Sequence, residues 1–377
     1  MMIAVPKETF PNENRVAMIP DTVAKLVKKG ATVAIESGLG ASLHLEDQAY
    51  KDAGADVVKN AKALYSQADI LLKLRKPSKD EIGQMKAGAI YAGMLDPFNE
   101  KELVESFAAQ GVSSISMEMI PRSTRAQKMD VLSSQASLAG YVAVLLAAER
   151  LDQILPMMMT PAGTIKPSKV FIIGAGVAGL QAIATAKRLG ARVEAFDTRA
   201  VVEEEVKSLG AKFVKIDLGE TGQTKDGYAK ALTDEQLELQ RKGMAKVCAN
   251  SDIVITTAQL FGRKAPVIVT KDMVAGMKPG SVIVDLAAET GGNVEGSKSG
   301  EEVVVGGVKI IGLTNLPGRV PVHASQMLSA NFFHLLDEFW NDEAKAFTLK
   351  LEDDIIRSSL LTHDKKIVNE MILKHYQ

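Results

Sequence analysis

The sequence is poor in several features that mark particular classes of protein. It has one cysteine, Cys248, among 377 residues, which excludes an internal disulfide framework and favours a reducing compartment such as the cytoplasm. Its 45 lysines and arginines nearly balance 46 aspartates and glutamates, so the formal net charge is −1. Because polyanion binding needs a basic surface, no nucleic-acid partner is expected. The five histidines are scattered without metal-ligand spacing, so no metal is predicted.

Long hydrophobic runs are also scarce. The first residues have the pattern of a strand and lack the basic and apolar regions of a secretory signal. The uncharged run at residues 131–148 nearly reaches the length of a membrane span, but its first half contains Ser133, Ser134 and Gln135. Small residues such as Gly140 would let other elements pack closely, so a buried helix is favoured over a span. Any work within a membrane is therefore expected from another chain.

Short apolar strands alternate with helical patterns along most of the chain, as in βαβ units. Strands are predicted at residues 3–5, 32–35, 69–74, 89–93, 113–117, 170–173, 192–196, 212–216, 252–256, 281–285 and 309–312, and helices at 21–29, 101–110 and 133–151. This predicts an α/β protein with two doubly wound Rossmann-like domains, each with a parallel sheet, joined by long helices and with a cleft between them. The first domain is expected to comprise residues 1–135 and 320–377, and the second residues 136–319. The apolar helix at 323–340 is expected to return to the first domain and to have no strand after it.

A glycine-rich motif, Gly174-Ala-Gly176-Val-Ala-Gly179, follows the strand at 170–173 and opens a helix. Gly174 would allow a tight turn, Gly176 would let the backbone approach a pyrophosphate, and Gly179 would let helix and strand pack. The alternative is that the glycines form only a close turn.

A carboxylate in the right place strengthens the dinucleotide interpretation. Asp197 ends the next strand, 18 positions after Gly179, where it can accept hydrogen bonds from the adenosine ribose and repel a 2′-phosphate. NAD(H) is therefore predicted in preference to NADP(H). An arginine near the acid, such as Arg199, can accommodate a 2′-phosphate, but one placed beyond the acidic residue usually points elsewhere. The predicted cofactor contacts are Gly174, Gly176, Val177, Gly179, Asp197, Thr198, Arg199, Gly227, Tyr228, Ala258 and Gln259.

Two polar segments have more than one interpretation. Residues 121–135 place Arg122, Gln127, Asp130 and Ser133 just before the uncharged helix, either as a functional cluster or as a solvated loop with Ser133 as the helix cap. Residues 217–228 are rich in glycine, threonine and aspartate, typical of a lid or of a long surface loop.

The first of these segments resembles the R-x-S-R-A-Q-x-x-D-x-L-S-S-Q signature of the NAD(H)-binding component of proton-translocating transhydrogenases, with Thr124 replacing the usual serine. The resemblance extends over essentially the whole chain and includes residues 5–8, 14–17, 226–229, 277–285, 314–318 and 353–364.

The resemblance implies a reaction and a set of roles. Arg122, Gln127, Asp130 and Ser133 would lie by the nicotinamide as the catalytic set, and Tyr228 would belong to a mobile loop. Hydride would pass directly from NADH to NADP⁺ on a second component, while a membrane-embedded proton-channel component couples transfer to proton movement. The chain would be a soluble homodimer, cytoplasmic and peripheral at the inner face of the membrane through its partners. Whether Arg122 and Asp130 pair with each other or contact nucleotide stays open.

Two alternatives are retained. Alanine dehydrogenases share the two-domain build and Arg15, but they need a substrate-site lysine and histidine; Arg75 takes the lysine position, and residues 91–96 contain no histidine. The other alternative is a non-catalytic NAD-binding protein. Departures from the transhydrogenase pattern at Gln259, Phe261 and Lys264 put local nucleotide contacts in question.

Overall fold

The computed structural model describes residues 1–219, 221 and 232–377. These residues form two compact units, Met1–Gln135 with Gly318–Gln377, and Ala136–Pro317. Each unit is built on a mostly parallel sheet with helices connecting its strands. The predicted α/β class with two Rossmann-like domains is therefore confirmed.

The first unit begins with six parallel strands in the order β3-β2-β1-β4-β5-β6. The strands are β1 Met2–Val5, β2 Thr32–Glu36, β3 Asp56–Val58, β4 Ile70–Leu72, β5 Ile90–Gly93 and β6 Ser113–Ser116; the helices are α1 Pro20–Lys28, α2 Asp47–Asp52, α3 Ala61–Gln67, α4 Lys79–Gln84 and α5 Lys101–Gln110. This order reverses between β1 and β4, so the loops after these two strands diverge and leave a crevice at the carboxyl edge of the sheet.

Helix α6, Val131–Arg150, starts in the first unit and continues into the second. Its length and composition would suffice to cross a membrane, but Ala143, Val144 and Ala147 are fully buried inside the protein. A Cβ placed on Gly140 would lie 2.1 Å from the carbonyl oxygen of Ala178. The glycine thus allows α6 to approach the backbone of the glycine-rich turn.

The second unit repeats the same strand order and adds an antiparallel edge. Its elements are the hairpin β7 Met158–Thr160 and β8 Gly163–Ile165, then β9 Lys169–Ile173, α7 Val177–Arg188, β10 Arg192–Phe196, α8 Glu203–Ser208, β11 Lys212–Phe213, α9 Asp234–Ala249, β12 Ile253–Thr256, α10 Lys271–Ala275, β13 Val282–Asp285, β14 Glu302–Val305 and β15 Val308–Ile311. The sheet order is β11-β10-β9-β12-β13-β15-β14, with β14 antiparallel to β15. The strand predicted at 212–216 ends at Phe213, and β14 was not predicted.

The C-terminal segment completes the first unit. It contains α11 Pro321–Glu338, β16 Trp340–Asn341, β17 Ala346–Phe347, α12 Asp354–Ser359, β18 Leu360–His363, β19 Lys366–Ile367 and α13 Glu370–Tyr376. Leu328, Phe332 and Leu335 of α11 are fully buried in one core cluster with residues of β1. The prediction that no strand follows this helix is wrong, because β18 pairs antiparallel with β6 and β19 extends the hairpin.

Candidate nucleotide site

The turn after β9 has the geometry of a dinucleotide cradle. Gly174 has φ +97°, which favours glycine, and a Cβ on Gly179 would lie 1.8 Å from the Gly174 carbonyl oxygen. Gly176 precedes the first residue of α7, Val177, and a Cβ built on it would meet no atom within 4 Å. The turn is therefore closed on its inner side and open at the amino end of α7, where backbone N–H groups and the helix dipole attract an anion.

Asp197, at the end of β10, already has a full set of hydrogen-bond donors. Its Oδ2 accepts from the Ala175 backbone N–H at 2.7 Å and from Arg199 Nη2 at 2.8 Å. Its Oδ1 accepts from the backbone N–H and the Nε of Arg199, both at 2.9 Å. The spacing of two residues lets the guanidinium of Arg199 fold back onto the carboxylate as a fork. This hydrogen bonding raises the pKa of Arg199.

A buried asparagine that the sequence analysis did not single out organises the loop after β12. Asn293 is fully buried; its Oδ1 accepts from the Ala258 N–H at 3.1 Å, and its Nδ2 donates to the carbonyl oxygens of Ala258 and Pro266 at 2.9 and 2.8 Å. Its own backbone N–H donates to the buried carboxylate of Asp285. The motif Gly291-Gly292-Asn293 after a predicted strand was the available signal.

The predicted contacts Thr198, Ala258 and Gln259 follow the ends of β10 and β12, and neighbouring threonines hold these loops. Thr257 Oγ1 donates to the Gly174 carbonyl oxygen at 3.0 Å, and Thr221 Oγ1 donates to that of Thr198 at 2.6 Å. Two residues that depart from the transhydrogenase pattern make local contacts. Gln259 Nε2 donates to the Leu286 carbonyl oxygen at 3.0 Å, and Lys264 packs its aliphatic chain over Gly291. Gly227 and Tyr228, with most of the segment predicted as lid or surface loop, lie outside the described residues.

The four residues of the signature segment belong to the first unit. Arg122 and Gln127 are exposed, while Asp130 and Ser133 are half-buried. Asp130 Oδ1 accepts from the Ser133 backbone N–H at 2.9 Å and Oδ2 accepts from Ser133 Oγ at 2.6 Å. The side chain that caps α6 is therefore Asp130, not Ser133 as the solvated-loop interpretation had it.

The same segment is anchored on both sides of Gln127. Arg125 forms a forked contact with Asp353 at 2.8 and 2.6 Å, and also contacts Asp354. Asn331 Nδ2 donates to the Lys128 carbonyl oxygen at 2.9 Å, and Met129 is fully buried. The segment is thus fixed to α11 and to the start of α12 while Gln127 faces solvent.

Comparison with known proteins decides the family. The sequence pattern described as "Alanine dehydrogenase/PNT, N-terminal domain" matches residues 4–139, and "Alanine dehydrogenase/PNT, C-terminal domain" matches residues 143–370. The chain belongs to this family. It is 44% identical over 376 residues to the first portion of the NAD(P) transhydrogenase alpha subunit of Rhodospirillum rubrum, a match that covers 98% of each chain.

Further relatives separate two branches. A crystal structure of transhydrogenase from Sinorhizobium meliloti superimposes with a TM-score of 0.88 at 44% identity, covering 98% of this chain and 100% of that one. Alanine dehydrogenase of Mycolicibacterium smegmatis is 29% identical over 385 residues, covering 99% of this chain and 96% of its own. The resemblance to transhydrogenases is therefore confirmed, and the chain is an enzyme component of the transhydrogenase type.

A buried charge network lies at the crevice of the first sheet in this family member. Glu13, whose side chain is fully buried, accepts from Arg15 Nε and Nη2 at 2.7 and 2.6 Å and from Arg75 Nε at 2.8 Å. Arg15 Nη1 donates to Gln135 Oε1 at 2.9 Å. Both arginines are thus bound to an internal carboxylate. Burial alone would raise the pKa of Glu13, but the hydrogen bonds and charges of Arg15 and Arg75 lower it to about 2.

The pKa of a second acid in this crevice, Glu8, shifts in the opposite direction. The Glu8 carboxylate follows β1 and accepts from the backbone N–H groups of Leu74 and Arg75 at 2.5 and 3.1 Å. Burial raises the pKa of Glu8 to about 7 despite these donors. Among the residues that the structure describes, no group of three or more histidine, cysteine, aspartate or glutamate side chains could hold a metal ion.

Proposed function

We propose that the chain is the NAD(H)-binding component of a proton-translocating transhydrogenase. The observation that carries the proposal is the pairing of an open glycine turn at the amino end of α7 with the Asp197 carboxylate at the end of β10. The high identity to transhydrogenase alpha subunits over the whole chain supports it. The open turn suits a pyrophosphate, and the carboxylate suits a ribose diol.

The residues of the chain would bind and orient the nucleotide. When bound, NADH supplies the hydride, which passes to NADP⁺ on a partner component. Gly176 and Val177 would face the pyrophosphate, and Asp197 the adenosine ribose. Gln127 and Ser133 would orient the nicotinamide, with Arg122 and Asp130 close by. Because direct hydride transfer needs no general acid or base, the task of these residues is to position the ring and exclude water.

The proposal predicts binding without turnover for the chain alone. One glycine turn and one ribose acid provide for one nucleotide, whereas transfer between two nicotinamides needs a second nucleotide at about 3 to 3.5 Å. The purified chain should bind NADH and leave it unreacted. Adding the NADP(H)-binding and membrane components should start transhydrogenation, measured with an acetylpyridine analogue of NAD.

A substitution in the signature segment tests the positioning role. Gln127→Asn should slow transfer in the reconstituted complex more than it weakens NADH binding, since it shortens an orienting side chain and leaves the glycine turn intact. Gln48→Asn, at another exposed glutamine of the same unit, is the matched control and should change neither. Alanine-dependent reduction of NAD by the chain alone would instead identify a dehydrogenase, and inactivity with authentic partners would identify a non-catalytic NAD-binding protein.

The assembly proposed is a homodimer on the cytoplasmic side, held at the inner face of the membrane by its partners. The hairpin β7–β8 supports self-association: Met157, Met158, Met159 and Ile165 are 60, 45, 73 and 51% exposed. Apolar side chains grouped in this way mark protein interfaces. Met159→Asp should shift the chain from dimer to monomer in analytical ultracentrifugation, whereas the control Leu351→Asp, at an exposed leucine of the other unit, should not. A wild-type monomer would contradict the homodimer.

A further inference from the structure

The carboxylate of Asp197 accepts several hydrogen bonds within the protein. A carboxylate offers about four lone-pair positions on its two oxygens. Four donors contact them: the backbone N–H groups of Ala175 and Arg199, and the Nε and Nη2 of Arg199, all within 2.7 to 2.9 Å. The carboxylate is therefore fully hydrogen-bonded before any ligand arrives.

A ribose diol needs two of these positions. The two backbone N–H groups belong to the glycine turn and to the end of β10, so they cannot leave without distorting both elements. The guanidinium of Arg199 is attached through a flexible side chain and can be displaced. Its side chain is 15% exposed and that of Asp197 is 6% exposed, so solvent screens their contact only partly.

We propose that Arg199 is a built-in competitor for the adenosine-ribose subsite, and that it sets both the affinity for NADH and the discrimination against NADPH. This inference rests on the proposed function, because it assumes that the nucleotide binds at Asp197. In the paired state the ribose acceptors are occupied. The nucleotide binds the fraction of molecules in which the pair is open, so the apparent dissociation constant exceeds the intrinsic one by the inverse of that fraction.

The same pair weakens cofactor discrimination. An unpaired Asp197 would present its full negative charge to a 2′-phosphate, whereas the guanidinium of Arg199 offsets that charge at less than 3 Å. Removing the guanidinium should therefore strengthen NADH binding and weaken NADPH binding. This outcome is opposite to the usual effect of deleting a cation beside a nucleotide polyphosphate, which is a general loss of affinity.

The experiment titrates the full-length chain with NADH and NADPH by calorimetry. For Arg199→Met the expected result is NADH binding tighter by on the order of 3- to 10-fold, with a larger NADH to NADPH preference. Arg199→Lys keeps the charge but loses the fork, so it should also bind NADH more tightly than wild type. Arg192→Met removes the same charge at the opposite end of β10 and should leave both affinities unchanged.

Each other outcome decides against the inference. Weaker NADH binding by both Arg199 variants would make Arg199 a nucleotide ligand, and unchanged binding would make the pair irrelevant to the cofactor. Selective loss of NADPH binding without a gain for NADH would make Arg199 a phosphate ligand. Failure of the wild-type chain to bind NADH would instead refute the proposed function. Thermal unfolding of each variant identifies a folding defect. If Arg199→Met has one, Arg199→Lys provides the test.

Discussion

The buried carboxylate of Glu13 allows a prediction whose size follows from the structure. Glu13→Gln replaces one carboxylate oxygen by an NH₂ group that would face the donors of Arg15 or Arg75. The substitution removes the charge that holds the two guanidinium groups and leaves them with a donor as neighbour. We expect a large loss of stability, because breaking a buried ion pair leaves an uncompensated charge.

The magnitude comes from the pKa of Glu13, which falls from 4.5 to about 2 on folding. One pKa unit corresponds to about 1.36 kcal/mol, so the charged form stabilises the folded state by about 3 kcal/mol. Because the folded pKa is depressed, this contribution is present above pH 4.5 and is lost as the pH falls toward 2. Roughly 2 kcal/mol of it should disappear between about pH 5 and pH 3.

The assay is urea unfolding of wild type and Glu13→Gln at intervals from about pH 7 to pH 3. The variant should be less stable by about 3 kcal/mol at pH 7, and the difference should narrow by roughly 2 kcal/mol by pH 3. The matched control is Glu343→Gln at an exposed glutamate of the same unit. A constant difference across this pH range would refute the assignment of the loss to the Glu13 charge.

Three further substitutions test other features. Asp197→Asn should reduce the preference for NADH over NADPH more than it weakens NADH binding, as measured by parallel titrations, and an unchanged preference would remove the ribose role. Gly140→Ala should lower the free energy of unfolding by about 1 to 3 kcal/mol, because its Cβ would overlap the Ala178 carbonyl oxygen. The control is Gly83→Ala in α4, where a Cβ meets no atom within 4 Å; it should raise the free energy of unfolding instead. Asn293→Leu should lower both the melting temperature and the affinity for NADH, since Ala258 and Pro266 lose their partner; normal affinity in a folded variant would separate this loop from the nucleotide site.

Most of the parallel strands could be predicted because each is an apolar run flanked by turn residues. The exception is β3, Asp56–Val58, which has only three residues and begins with an exposed aspartate. The antiparallel additions were missed for different reasons. The turn between β18 and β19 uses Asp364 and Lys365, with φ +46° and +61°, where glycine or asparagine usually marks such a turn. The turn between β14 and β15 is Gly306-Gly307, with φ +59° and +84°, a signal that was present in the sequence.

The residues of the nucleotide site likewise divide into those that the sequence predicts and those that it does not. The glycine spacing and the position of Asp197 depend on local backbone rules, so they could be placed from the sequence. Asn293 follows Ala258 by 35 positions, and Arg125 precedes Asp353 by 228. Such partners depend on how distant segments pack, which no local pattern encodes. The fold-back of Arg199 onto Asp197 is local, but it depends on which side-chain rotamer is occupied.

The pairing of β18 with β6 has a consequence for synthesis of the protein on the ribosome. Strand β6 ends at Ser116 and its neighbour starts at Leu360, so roughly 240 residues separate them. At a synthesis rate of about 5 to 20 residues per second, the backbone groups along that side of β6 remain without their strand partner for roughly 12 to 50 seconds. During this interval the whole of residues 136–317, a continuous unit, can emerge and fold first. The emerging chain would thus carry an unpaired strand edge, the kind of surface to which chaperones bind and from which aggregation starts.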